Sequence, residues 1–129
     1  MPTEAQWEYA VRGGAKSKGY KYSGSNTIDD VAWCWDNRDK ETHPVGKKQA
    51  NELGLYDMSG NVWEWRSDWY GDYSSDSQTD PTGSTNGFYR VLRGGSWDYD
   101  AEDCRVSSRI SDDPDFRGYD GGFRVALLP

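Results

Sequence analysis

Long apolar runs are missing from this 129-residue chain. The longest, Val31-Ala32-Trp33-Cys34-Trp35, falls far short of the roughly 20 residues that a membrane-spanning helix needs. Met1-Pro2-Thr3-Glu4 lacks the basic-then-apolar opening of a signal peptide. Aliphatic residues are scarce as well. Leu, Ile, Val and Phe together number 17 of 129, about 13%, and values below about 20% with high net charge ordinarily mean disorder. Positive charge is short: 15 Lys and Arg against 22 Asp and Glu leave a net charge of −7. That balance argues against a nucleic-acid partner, because phosphates reward cations. Histidine is reduced to His43, so a multi-histidine metal centre cannot form and any Ser-His-Asp relay would depend on that one ring. Cys34 and Cys104 are too few for a disulfide scaffold, and their spacing fits no zinc pattern. One bridge and two separate buried thiols both remain open.

What the chain has instead is 7 Trp and 9 Tyr. Each large aromatic buries roughly 150–250 Å², so this set can stand in for the missing aliphatics. Fifteen Gly and five Pro divide the chain into short segments. The expectation is therefore a folded, loop-rich domain with an aromatic core and little regular structure.

One helix is predicted. Thr3 and Gln6 form a capping box, and Glu4 suits the positive end of the helix dipole. Trp7, Ala10 and Val11 make an apolar stripe, and Gly13-Gly14 closes the helix. Residues 31–35 read as a buried strand, and the charged residues 36–43 as a solvated face. Ser59-Gly60-Asn61 should turn into an extended Val62-Trp63-Glu64-Trp65, with Trp63 and Trp65 on one face and Val62 and Glu64 on the other. Residues 71–87 read as a surface loop, 90–97 as a strand with a glycine kink, and 122–128 as the last strand. No helical or strand period is visible in 98–121.

Several segments, taken in order, resemble one family. They are Pro2-Thr3-Glu4-Ala5-Gln6-Trp7-Glu8-Tyr9-Ala10-Val11-Arg12-Gly13-Gly14, Gly54-Leu55-Tyr56-Asp57-Met58-Ser59-Gly60-Asn61-Val62-Trp63-Glu64-Trp65, Arg93-Gly94-Gly95-Ser96-Trp97 and Gly122-Phe123-Arg124. Their number, order and spacing are similar to the formylglycine-generating enzyme (sulfatase-modifying factor) family, across essentially all 129 residues. The resemblance implies an α+β, C-type-lectin-like fold, irregular and loop-rich, with short twisted antiparallel strands. It implies a single domain over residues 1–129 that begins at the family's second helix, with the family's amino-terminal part absent.

The resemblance also bears on catalysis. The family's oxidase holds a cuprous ion on two cysteines, soft ligands for a soft metal. Counted from Gly94-Gly95-Ser96, the pair should fall at Tyr99 and Cys104, and aligning from Arg109 removes even the match at Cys104. No copper is expected, and no catalytic residue is assigned. Residues 98–121 closely resemble the variable region of proteins diversified by retroelements, the treponemal type above all. There a reverse transcriptase randomises adenines of asparagine codons, which reaches many residue types but not Lys, Gln, Glu, Met or Trp. None of those five occurs at Asp98, Tyr99, Asp100, Asp103, Ser108, Ile110, Ser111, Asp112, Asp113, Asp115, Phe116, Gly118, Tyr119, Asp120 or Gly121, the positions expected to vary and bind ligand. Arg105, Arg109, Pro114 and Arg117 would form the fixed frame, with Glu102 fixed as well.

The composition of this stretch suits binding: rigid Tyr and Phe rings for area, Ser, Gly and Asp for adaptable polar contacts. Eight acidic and four basic residues lie between Asp98 and Arg124, so a basic or neutral partner and faster association at low salt are expected. The partner class is a variable macromolecule, a protein by expectation, and the resemblance implies a cell-surface or extracellular setting. An ordinary solvated loop in a structural domain is the plain alternative, and an oxidase acting on a peptide cysteine is the catalytic one.

Calcium is the implied cofactor. The resemblance assigns it to the side chains of Asp57 and Glu64 and the carbonyls of Gly60 and Val62, hard oxygen ligands suited to that ion. Its rival is Glu64 paired with an arginine and Asp57 capping a turn. The family's other calcium site is not expected, because its asparagine is replaced near Trp33.

Overall fold

The capping box forms as read: Thr3 Oγ1 accepts from the Gln6 N–H at 3.2 Å, and Gln6 Oε1 accepts from the Thr3 N–H at 3.0 Å. Helix α1 runs Glu4–Val11 in a computed structural model that describes residues 1–127. Gly13, at φ 90°, ends it in the left-handed region, and Trp7 and Val11 are buried.

Four strands follow: β1 Trp63–Trp69, β2 Arg90–Arg93, β3 Arg109–Asp112 and β4 Gly121–Gly122. They form one mixed sheet in the order β3-β2-β1-β4, with β4 parallel to β1 and the other pairs antiparallel. Register sorts the side chains. Trp65, Leu92 and Ile110 stand opposite one another across β1, β2 and β3, and the neighbouring row is Glu64, Arg93 and Arg109. Side chains alternate between the faces of a sheet, so one face carries the apolar row and the other the charged row.

Helix α1 covers the charged face. Arg93 donates to Glu4 Oε1 at 2.7 Å, to Glu8 Oε2 at 3.0 Å and to the Val106 carbonyl at 2.7 Å. Arg109 reaches both oxygens of Glu4 at 2.8 Å, and the Trp7 indole donates to Glu64 Oε2 at 2.8 Å. Burial alone would raise the Glu4 carboxyl pKa, but hydrogen bonds and charge from Arg109 and Arg93 outweigh it and hold it below the usual range. Desolvation pulls the Arg66 guanidinium down to about 10, against the pull of the nearby Glu64 carboxylate.

Two glycines lock the loops together. Gly60 (φ 76°) lies so close to Trp33 that a Cβ would meet the Trp33 carbonyl oxygen at 2.4 Å, and a Cβ on Gly95 (φ 74°) would meet Cys104 Sγ at 2.6 Å. Gly60 N–H donates to the Gly94 carbonyl at 2.7 Å, tying the Ser59-Gly60-Asn61 turn to the Gly94-Gly95-Ser96 kink.

Several expectations are corrected. Residues 31–35 are no strand: Ile28–Val31 is a short helix, α2, and Trp35 is 49% exposed. The last strand is only Gly121–Gly122; residues 123–127 are not extended into the sheet, and residue 128 lies outside the described residues. Regular structure does occur within 98–121, as a 3-10 turn at Ala101–Cys104 and as β3. Neither was visible as a period, because each is a single turn or four residues long.

The core is also less aromatic than composition suggested. Trp7, Trp63 and Tyr22 are the large buried rings, joined by Val, Ala, Met and Cys side chains. The remaining interior volume is filled by Arg66, Arg93, Glu4 and Glu64, all under 10% exposed. Charged groups tolerate such burial when they are paired and hydrogen-bonded. Cys34 and Cys104 are free, fully buried thiols in one apolar cluster with Tyr22, Val31 and Ala32.

Candidate functional site

Part of 98–121 gathers over the open face of the sheet. β3 brings Ile110 beside Leu92 and Asp112 beside Arg90, and β4 brings Gly121 beside Trp63. The Trp63 N–H donates to the Asp120 carbonyl at 2.8 Å, which draws residues 118–121 along the edge of β1. The Trp35 N–H donates to the Tyr99 carbonyl at 2.9 Å, which anchors the other end.

None of the fifteen residues expected to vary is buried. Asp100, Asp113, Asp115 and Gly121 are exposed, as are Tyr99 at 38%, Phe116 at 52% and Tyr119 at 72%. Asp98, Asp103, Ser108, Ile110, Ser111, Asp112, Gly118 and Asp120 are half-buried. Most converge. Tyr99, Ile110, Asp112, Phe116, Gly118, Tyr119, Asp120 and Gly121 surround one cavity of about 160 Å³ whose floor is Trp63, Trp65 and Leu92. Asp100, Asp103, Ser108, Ser111, Asp113 and Asp115 lie outside it, and Asp98 stands beside it through a 2.8 Å hydrogen bond from the Tyr119 hydroxyl.

Side-chain contacts hold this face in shape. Tyr99 meets Trp63 edge-on at 5.2 Å, and Tyr119 tilts against Trp97 at 5.6 Å. Ser96 Oγ donates to Asp120 Oδ2 at 2.7 Å. Arg38 stacks 3.3 Å over the Trp35 ring and lies 3.7 Å from Asp98. Trp35 and Arg38 were not legible as part of the face, because residues 31–35 read as interior and 36–43 as plain solvated charge. The usable signal was a Trp-rich segment followed within three residues by an arginine, a pair that stacks readily.

The expected fixed frame divides. Arg109 is structural, sitting on β3 but bonded to Glu4 on the covered side and stacked 4.3 Å from Tyr70 and from Tyr73. Pro114 and Arg117 are exposed, and Arg105 is paired with Glu102 at 3.5 Å.

His43 stacks on Trp33 at 3.8 Å, with its Nε2 3.4 Å from Asp39. It serves the loop that carries Asn61, whose Oδ1 accepts from the His43 N–H at 2.9 Å. Cys104 is sealed beneath Gly95, and burial pushes its thiol far above the ordinary range, away from the thiolate that copper needs. With Tyr99 in place of the partner cysteine, these residues do not fit a two-thiolate copper site.

The four calcium positions behave unequally. Glu64 has its charge answered: Arg124 reaches its oxygens at 2.8 and 3.2 Å and Arg66 lies at 3.3 Å, alongside the Trp7 indole. That is the arginine alternative. Asp57 accepts the Gly46 N–H at 2.8 Å through Oδ2 (a bond to a distant loop and not a local turn cap), and its Oδ1 is buried without a partner. Asp57, Val62 and Glu64 line one cavity of about 400 Å³, and Gly60 adjoins it in sequence. A hard cation fits the free Asp57 oxygen; to reach Glu64 it has to displace Arg124.

The sulfatase-modifying factor enzyme 1-like domain matches residues 1–128 of this chain. The chain belongs to that family. A formylglycine-generating enzyme of Streptomyces coelicolor is 38% identical over 98% of this chain and 46% of its own length. The chaperone protein LppX of Paenibacillus barcinonensis is 37% identical over 97% of this chain and 48% of its own. Among solved structures, Treponema denticola variable protein 1 superposes with a TM-score of 0.88 at 43% identity, over 95% of this chain and 45% of that one. PvdO from Pseudomonas aeruginosa superposes at 0.76 with 30% identity, over 95% of this chain and 50% of that one. The chain thus spans about half the length of these sulfatase-modifying-factor relatives. Its fold is the α+β, C-type-lectin-like type of the family, with one long helix and a curled mixed sheet. Among the described residues no helix is long and apolar enough to cross a membrane.

Proposed function

We propose that this domain is a non-catalytic display scaffold, in which residues 1–97 and 122–129 hold 98–121 as a diversified face that binds a macromolecular target. The observation that carries the reading is the division of burial. Every residue expected to vary reaches solvent, while the side chains that hold the face up from beneath, Arg93, Cys104 and Val106, are sealed. Substitution at the first set leaves the core intact, which a surface under diversification requires. The likeness to a treponemal variable protein supports the same reading.

Sequencing many copies of this gene from its source population tests it. Differences confined to the fifteen positions, with a template repeat and a reverse transcriptase nearby, are expected. Differences scattered through the scaffold overturn the proposal.

Kinship with formylglycine-generating enzymes favours one other reading, an oxidase acting on a peptide cysteine. It requires tight cuprous copper and turnover of a cysteine-containing peptide, both abolished in Cys104→Ser. The display reading expects neither in the parent protein.

The calcium proposal rests on the free oxygen of Asp57. Titration with calcium chloride should raise the melting temperature of the parent protein and leave Asp57→Ala unchanged; an equal response in both removes calcium from the scheme.

A further inference from the structure

We propose that the aromatic socket at the centre of the face receives one arginine side chain from a peptide segment of a protein partner, an inference that rests on the binding-face reading. The socket has the right size. Its volume of about 160 Å³ takes one long side chain and is well below the roughly 300–1,000 Å³ of small-molecule pockets.

Its chemistry favours a cation. Trp63 and Trp65 form the floor, and Tyr99, Phe116 and Tyr119 rise around it. Aromatic ring faces attract cations, most strongly where water is excluded. Asp112 and Asp120 also line the socket, and among the described residues neither is paired with a cation. Each keeps an oxygen beyond the one used within the protein, since Asp120 accepts from Ser96 through Oδ2 and Asp112 accepts the Asp113 N–H through Oδ1. Burial, followed by the charges of Asp120, Asp103, Asp98 and Asp112, pushes the Tyr99 hydroxyl pKa upward, so the mouth of the socket is electronegative.

Arginine suits this arrangement better than lysine. Its flat guanidinium stacks on rings and donates along two edges, whereas an ammonium is a compact and strongly hydrated point charge. The molecule uses the same combination beside the socket, where Arg38 lies 3.3 Å over Trp35 and 3.7 Å from Asp98.

Trp63 is 3% exposed, so the scaffold ring at the floor of the socket is held fixed by packing. Floor and wall also differ in origin. Trp63, Trp65 and Leu92 belong to the scaffold, whereas Tyr99, Asp112, Phe116, Tyr119 and Asp120 are positions expected to vary. The scaffold therefore provides a standing socket for one side chain, and the present wall residues select arginine.

Selection of phage-displayed random peptides against the full 129-residue chain tests this, with Tyr99→Ala/Phe116→Ala/Tyr119→Ala as the counter-selection. Enriched peptides should share an arginine. Replacing that arginine by citrulline, its neutral isostere, or pairing the peptide with Asp112→Asn, should weaken binding by at least about tenfold. The citrulline arm alters only the ligand, so it stands whether or not the variants fold. Peptides that bind the face without arginine, or equally well with citrulline or lysine in its place, overturn the arginine socket and leave the binding-face reading intact. Failure to enrich any peptide that the triple variant loses overturns both.

Discussion

The two faces of one sheet differ in what they carry and in what covers them: a charged row lies under α1, and an apolar row lies open. On the covered face, Arg93, Arg109 and Glu64 are locked to Glu4, Glu8 and Trp7 by hydrogen bonds of 2.7–3.0 Å. On the open face, Tyr99, Tyr119, Asp112 and Asp120 surround a cavity without a cation among them. The covered face is an ion-pair network that leaves little for a partner to complete. The socket on the open face is lined by rings and carboxylates with no arginine among them. Alternate residues of β1 and β2 supply the two rows, and α1 covers only the charged one.

Cutting the ion-pair network under α1 should do the most to erase this contrast between the faces. Arg93→Leu strands Glu4 and Glu8 without their central partner, and a loss of about 3–5 kcal/mol in urea unfolding is expected, because a buried carboxylate is then left half-compensated. A loss of less than about 1 kcal/mol would mean that the network is dispensable packing.

Next in size is the pH response. The carboxyl pKa of Glu4 is held below its ordinary value of 4.5 in the folded protein. Its contribution is therefore fully present above pH 4.5 and disappears as the pH falls through the lower folded value. Unfolding free energy should fall along that limb, and Glu4→Gln should flatten it at the expense of stability at neutral pH.

Cys104→Ala removes a fully buried thiol from the small apolar cluster beneath Gly95, and about 1–3 kcal/mol is expected by thermal or denaturant unfolding. Circular dichroism should show the same fold, since no disulfide is lost.

The smallest effect belongs to the open face. Phe116→Ser and Tyr119→Ser should each change stability by within about 0.5 kcal/mol, because both rings are more than half exposed. A loss above 2 kcal/mol from either would show that the face is part of the core, and the contrast between the two sides would collapse.

Much of the scaffold was legible in the sequence because its signals are local. Thr3 and Gln6 lie three residues apart and cap the helix whatever surrounds them. The alternation Val62-Trp63-Glu64-Trp65 fixed which side each ring would take. The family motifs are contiguous, so order and spacing identified them. The misread segments are those where neighbours in space prevail over neighbours in sequence. Trp35 sits in an apolar run, yet it is drawn outward by the stack with Arg38. β3 has no apolar period because both of its faces are half-buried, and it becomes a strand only by pairing with Val91 and Leu92. Residues 123–127 have strand-forming composition, yet pairing with β1 stops at Gly122, and farther along β1 the Ser67 N–H donates to the Pro2 carbonyl instead.

Short-range signals along the chain specify the helix and its caps, the two-sided alternation of β1, and a last irregular stretch too polar to be interior. Each follows from steric and hydrogen-bonding preferences that act within a few residues. Long-range packing is what buries Arg93, pairs Glu64 with Arg124 and brings five wall residues together over Trp63. Those outcomes rest on pairings across 36 to 105 positions of chain, such as Trp63 with Tyr99 and Glu4 with Arg109. Such pairings exist only once loop closure brings their partners together, and no local preference encodes them.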